Sequence, residues 1–171
     1  MAFTSWAPDV DEDALDGETP HATAARLARA KAQAARSRWP EALIIGSDQV
    51  ADLDGAAIGK PGSRAGAREQ LRRLSGRTVQ FHTALCLLNA ASGRVQERVI
   101  STSVVYRTLS DAEIERYLER EGALDCAGSA KIEGLGVALV AKVGGDDPTA
   151  LVGLPLIALA QMLRAEGVEV P

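Results

Sequence analysis

Glu12, Lys31, Asp48, Lys60, Lys131, Glu133 and Asp147 stand beside glycines or at the ends of apolar runs, where a side chain is free to meet a ligand. Carboxylates mixed with lysines suit a polyphosphate held with a hard divalent cation. Acids bind such a cation through oxygen, which fits Mg²⁺ or Mn²⁺, and ammonium groups neutralise phosphate oxygens as point charges. Taken singly, each lysine is better explained as a surface residue, and Asp147 equally well as a helix N-cap. The joint placement is what points to phosphate. Neither common phosphate-loop signature is present: Gly59-Lys60-Pro61 lacks the upstream glycines and the Ser/Thr of a P-loop, and no G-x-G-x-x-G occurs.

These residues need elements to position them. Thr19 and Pro20 are a helix start, and the helix is expected to reach about Arg38, before Pro40. Ala24, Leu27, Ala28, Lys31 and Ala35 share one face of it, so Lys31 lies within the apolar stripe. It is either a snorkelling lysine or an ammonium delivered to a cleft. Residues 42–45 read as a short buried strand ending in Gly46, Ser47, Asp48 and Gln49, the kind of strand end where open α/β sheets place ligands. A turn follows over 52–55, then a helix capped by Ser63 and running to Leu74. Residues 78–88 and 94–106 read as an antiparallel hairpin. Ser110 and Glu113 form a capping box for a helix ending near Gly122. A glycine-punctuated stretch over 126–136 leads to a strand over 137–143 and a final helix from about Pro155 to Gly167. The expected class is α/β with a mixed sheet.

The 171 residues suit one domain, and with aromatics at 4% the core must rest on Ala, Leu, Val and Ile. A net charge of −4 argues against a nucleic-acid polymer as partner. Cys86 and Cys126 form no C-x-x-C, and His21 and His82 are isolated, so a structural zinc site is not expected and both thiols read as reduced. No apolar run is long enough to span a bilayer and no basic-then-apolar leader opens the chain, so the expected compartment is the cytoplasm, without a membrane partner.

Several short segments then fall in a familiar order. Val10-Asp11-Glu12, the stretch with Leu27, Ala28, Lys31 and Ala32, Gly46-Ser47-Asp48-Gln49-Val50 and Gly59-Lys60-Pro61 resemble the Maf family in order and spacing. So do Leu74-Ser75-Gly76-Arg77, Cys126-Ala127-Gly128, Lys131-Ile132-Glu133-Gly134-Leu135-Gly136, Asp147-Pro148-Thr149 and Leu151-Val152-Gly153-Leu154-Pro155. The resemblance covers nearly the whole chain. It implies a Maf/inosine-triphosphate-pyrophosphatase-like α/β fold, a mixed twisted sheet flanked by helices around a central cleft. The implied activity is hydrolysis of a nucleoside triphosphate to the monophosphate and pyrophosphate. Asp48 matches the family's general base, Glu12 a second carboxylate for a divalent cation, and Lys31, Lys60 and Lys131 the phosphate-holding lysines. Gln49 with Glu133 resembles the 7-methyl-GTP branch, against the Thr and Gln of the dTTP/UTP branch. Guanine presents two adjacent N–H donors that one carboxylate accepts together, and N7-methylation strengthens them. The alternatives are a dTTP/UTP-type pyrophosphatase and a catalytically weak nucleotide-binding protein. The resemblance also allows a homodimer.

Family members begin with a strand, a Ser/Thr-rich loop carrying arginine, and a helix; here the matching segments start near Phe3, so the expectation is a single Maf-like domain over 1–171 without that first unit. Arginine contacts to phosphate contribute about 1.5–3 kcal/mol each. The chain as it stands is therefore expected to turn over 7-methyl-GTP slowly or not at all, and restoring upstream coding sequence is expected to raise the rate. Equal rates with and without it would refute this expectation.

Overall fold

The computed structural model describes residues 2–170. Helix α1 (Pro20–Ala34) begins as expected: the Ala22 N–H donates to Thr19 Oγ1 at 3.3 Å and Pro20 takes the first helical position. It gives way to a turn that brings the chain to Trp39. Strand β1 (Leu43–Leu53) turns through Asp54 and Gly55, both at positive φ, into the short β2 (Ala56–Ile58). Ser63 caps α2 (Arg64–Leu74) by accepting from the Gly66 N–H at 3.1 Å. The hairpin β3 (Thr78–Asn89) and β4 (Val95–Tyr106) and the capping box of α3 (Asp111–Arg120) follow their sequence signals. Two short 3-10 turns, Ala127–Ser129 and Leu135–Leu139, precede β5 (Val140–Gly144), and α4 (Leu156–Ala165) ends the fold.

The sheet runs β2-β1-β3-β4-β5 and every pairing in it is antiparallel, where a mixed sheet was expected. The reason lies in the connections. Parallel neighbours need a crossover, and α2 does carry the chain across from β2 to β3, which run the same way. But β1 lies between those two strands, so they never pair. The α/β class stands. Helix α1 covers one face, setting Ala24, Ala28, Ala32 and Ala35 on Ile44, Ala84, Cys86 and Leu88. The opposite face carries two clusters. Helices α2 and α3 pack over Leu53, Val79, Phe81, Val104 and Tyr106, and α4 packs over Leu85 and Leu87.

Strand β1 departs most from its sequence reading. It does not end at Gly46; it continues through Ser47, Asp48 and Gln49, paired with β3 from Leu43↔Asn89 to Asp52↔Gln80. Polar residues survive inside a buried strand when their groups are bonded. Ser47 and Gln49 face one side and are satisfied there by carbonyls of the 150–153 segment, while Gly46 and Asp48 face α1.

Gly46 sets how close α1 comes. A Cβ at this position would stand 2.2 Å from the Ala28 carbonyl oxygen and 2.7 Å from the Ala32 nitrogen. Both are backbone atoms and cannot turn aside, so the helix rests on the strand's own main chain. Gly46→Ala is expected to lower stability by about 2–3 kcal/mol, as overpacking of a closed contact does; a urea melt measures it. A change under about 0.5 kcal/mol would mean that α1 is free to lift off β1.

Candidate active site

Close packing of α1 delivers Lys31 to β1. Its Nζ donates to Asp48 Oδ1 at 2.6 Å and lies 2.7 Å from Glu12 Oε1. Glu12 arrives on the segment before α1, which runs back along that helix and is fastened at both ends. Trp6 meets Trp39 edge to face with centroids 5.7 Å apart. Near the other end Arg26 forms two bonds to Glu18, 2.8 and 2.9 Å, and a third to the Asp13 carbonyl at 2.8 Å. The acidic stretch that composition reads as a solvated loop is thereby held as a strap across α1.

Lys60 completes the group from the loop after β2, 3.6 Å from Glu12 Oε2. That loop is tied to the glycine-rich stretch beyond α3. The Gly62 N–H donates to the Leu124 carbonyl at 3.2 Å, and Gln70 donates to the Gly59 carbonyl at 3.0 Å while accepting from Ser129 Oγ at 2.5 Å. Tyr106 Oη donates to the Gly128 carbonyl at 3.0 Å, and Tyr117 Oη accepts from the Lys131 N–H at 3.1 Å. Lys131 thus stands beside this loop, with its ammonium 3.1 Å from Asp125 Oδ1, and Asp125 in turn feels the charge of Lys60. Charges alternate in sign from Asp48 through Lys31, Glu12 and Lys60 to Asp125 and Lys131.

Exposure rises along the first part of this series: Asp48 11%, Lys31 21%, Glu12 48%, Lys60 63%. The path from solvent to Asp48 therefore passes over Lys60 and Glu12. The Lys31 hydrogen bond holds the Glu12 carboxyl below its ordinary range against a smaller desolvation effect. Burial pulls the Lys31 pKa down, but bonds to Asp48 and Glu12 outweigh it and the net shift is upward.

Not every residue singled out from sequence joins this group. Gln49 points to the opposite face of the sheet, where its Nε2 donates to Thr83 Oγ1 at 2.8 Å and to the Ala150 and Leu151 carbonyls at 3.0 and 3.2 Å. Glu133 is exposed on the loop after Lys131; burial raises Tyr117 and Cys126, and the nearby Glu133 charge adds slightly to both. Asp147 is 3% exposed and accepts from the Thr149, Ile157 and Ala158 N–H groups, so it pins the first turn of α4. Both cysteines are free, and burial pushes both thiols up, that of Cys86 to about 11, which suits neither for nucleophilic work. Among the described residues no three His, Cys, Asp or Glu side chains converge to hold a metal. A hollow of about 480 Å³ lies at Thr149, Val152, Gly153, Leu154 and Leu156, away from the charged series. No helix among the described residues is long and apolar enough to cross a membrane. Asp125, Gln70 and Trp6 were not singled out from sequence: each acts through a partner distant in the chain, and no local motif marks it.

The chain matches the family model described as Maf-like protein over residues 1–166. It is 58% identical over 167 residues to a protein of Cupriavidus pinatubonensis named 7-methyl-GTP pyrophosphatase, covering 98% of this chain and 84% of that one. A protein of the same name from Aromatoleum aromaticum is 56% identical over 171 residues, covering 100% and 88%. Another, from Xanthomonas oryzae pv. oryzae, is 55% identical over 171 residues, covering 100% and 89%.

The linked shifts make stability depend on pH. Glu12, lowered from 4.5, stabilises the fold above that value and loses its contribution as pH falls through the lower folded value. Lys31, raised from 10.5, contributes below that value and loses it as pH rises through the higher folded one. Lys31→Met is expected to cost about 1–3 kcal/mol near neutral pH, because it leaves the Asp48 carboxylate without its donor. It is also expected to flatten the loss of stability as pH falls below 4.5, the ordinary value of Glu12. Urea melts at several pH values check both; an unchanged acid slope would show that Glu12 draws nothing from Lys31.

Proposed function

Because the chain belongs to the Maf-like protein family, we propose that it is a nucleoside triphosphate pyrophosphatase that cleaves between the α- and β-phosphates of 7-methyl-GTP. The observation that carries this reading is the Lys31 ammonium held between the Glu12 and Asp48 carboxylates, with Lys60 on the far side of Glu12. Two ammonium groups flanking one half-exposed carboxylate are already spaced for an anion, and phosphate oxygens take the place of Glu12 when the triphosphate enters. Lys131, released from Asp125, adds a third. Fixed ammonium groups stabilise the charge that builds on the phosphates during transfer.

Asp48 accepts the proton of the attacking water, and its bond to Lys31 fixes which oxygen faces the ligand. Two carboxylates reaching one ammonium offer hard oxygen donors, and Mg²⁺ or Mn²⁺ needs only one or two such ligands when phosphate and water supply the rest. Asp48 and Glu12, once moved off the lysines, are the residues that would hold it, and a bound cation would neutralise phosphate charge there. Glu133, exposed beside Lys131, accepts the two guanine N–H donors, and the names its relatives carry support that base. Gln49, its amide nitrogen fully engaged on the other face, supports the site by holding the 150–151 carbonyls against β3.

Pyrophosphate release from a nucleotide panel tests the reading. Asp48→Asn is expected to cut turnover of 7-methyl-GTP by about 10²–10⁴-fold, the usual worth of a positioned general base. Glu133→Gln is expected to cut it about tenfold or more, the worth of a charged hydrogen bond, and to spare dTTP and UTP. Full activity in the Asp48 variant would remove the base. Equal losses across the panel would remove the base-reading role of Glu133.

A further inference from the structure

A cationic hollow lies between α3 and the Leu135–Leu139 turn. It measures about 200 Å³ and is lined by Arg107, Arg116, Arg120 and Glu113 over a floor of Tyr117 and Leu139. Its charges do not balance. Arg107 is satisfied, donating to the Ala138 carbonyl and to Glu113 Oε1, each at 2.8 Å. Glu113 is fully used as well: its other oxygen accepts from the Ser110 N–H and hydroxyl, and these bonds with Arg107 hold its pKa at about 2.

Arg116 and Arg120 sit one helical turn apart, where like charges repel. Among the described residues neither has an acidic partner, although the chain as a whole carries a net charge of −4. The acids that could serve are committed elsewhere: Asp111 to Arg72, Glu115 to Arg64 and Arg68, Glu119 to Arg64, and Glu121 to the Leu135 N–H. The C-terminal end of α3 favours a cation at Arg120, but no acid covers either arginine where it lines the hollow.

We infer that this hollow is an anion site that takes a phosphate-type oxyanion, separate from the Asp48 group. Guanidinium forks match the paired oxygens of phosphate. The volume lies below the ~300 Å³ at which pockets for larger organic ligands begin, so it suits one or two phosphate groups rather than a nucleoside. Its outer wall, Leu135–Leu139, continues the loop that carries Lys131 and Glu133.

Amide NMR on the full chain, titrated with inorganic pyrophosphate, orthophosphate or a nucleoside monophosphate, tests the site. Pyrophosphate or orthophosphate is expected to shift the signals of α3 and of residues 135–139. The double variant Arg116→Ala and Arg120→Ala changes only exposed helix positions and is expected to raise the midpoint of those shifts at least tenfold, with its thermal melt and the shifts near Lys31 and Lys60 unchanged. The monophosphate is expected to move these signals more weakly than pyrophosphate. The inference is overturned if α3 shows no shift with either inorganic anion, if the double variant keeps the native midpoint, or if the monophosphate binds there most tightly.

Discussion

The contact between α1 and the bare backbone of β1 at Gly46 governs the rest of the site. A helix resting on side chains stands off a sheet by their full depth; here Ala28 and Ala32 lie on a residue with no side chain at all. Lys31 sits on the same helix and Asp48 two positions along the same strand, so closing that gap brings ammonium and carboxylate within 2.6 Å. Small residues dominate this interface for the same reason.

From that anchor the charged series is assembled by elements far apart in sequence. The strap before α1 contributes Glu12 because Trp6 and Glu18 hold it near either end. The loop after β2 contributes Lys60, and Gln70 with Ser129 ties that loop to the stretch that contributes Lys131. No single element forms the site; the aromatic and neutral hydrogen-bond links hold its segments in place, and only the lysine–carboxylate pairs are ones that a ligand's phosphates can replace. The resting arrangement neutralises its own charges and opens toward solvent at Lys60.

Much of this was legible in the sequence. The Thr19-Pro20 start, the Ser63 cap, the hairpin and the Ser110–Glu113 capping box are local signals, and local chemistry decides them. Lys31 fell within an alanine stripe, and which of its two readings held was decided by Asp48 and Glu12, partners outside the helix. What escaped was set by distant partners. The polar run Ser47-Asp48-Gln49 looked like a strand's end because its hydrogen-bond acceptors, the 150–153 carbonyls, lie a hundred residues away. The sheet looked mixed because sequence order cannot show that β1 intervenes between β2 and β3. Gln49 entered through the family resemblance it shares with Glu133; neighbours on a strand face opposite sides, so its amide lies across the sheet from Asp48.

The central claim is that the Lys31–Glu12–Lys60 arrangement is a seat for phosphate. A crystal structure with an α,β-methylene analogue of 7-methyl-GTP, which binds without being cleaved, tests it most directly. The account predicts phosphate oxygens on the Lys31 and Lys60 ammonium groups and the Glu12 carboxylate displaced from between them. An analogue bound elsewhere, with Glu12 still bridging both lysines, would contradict it.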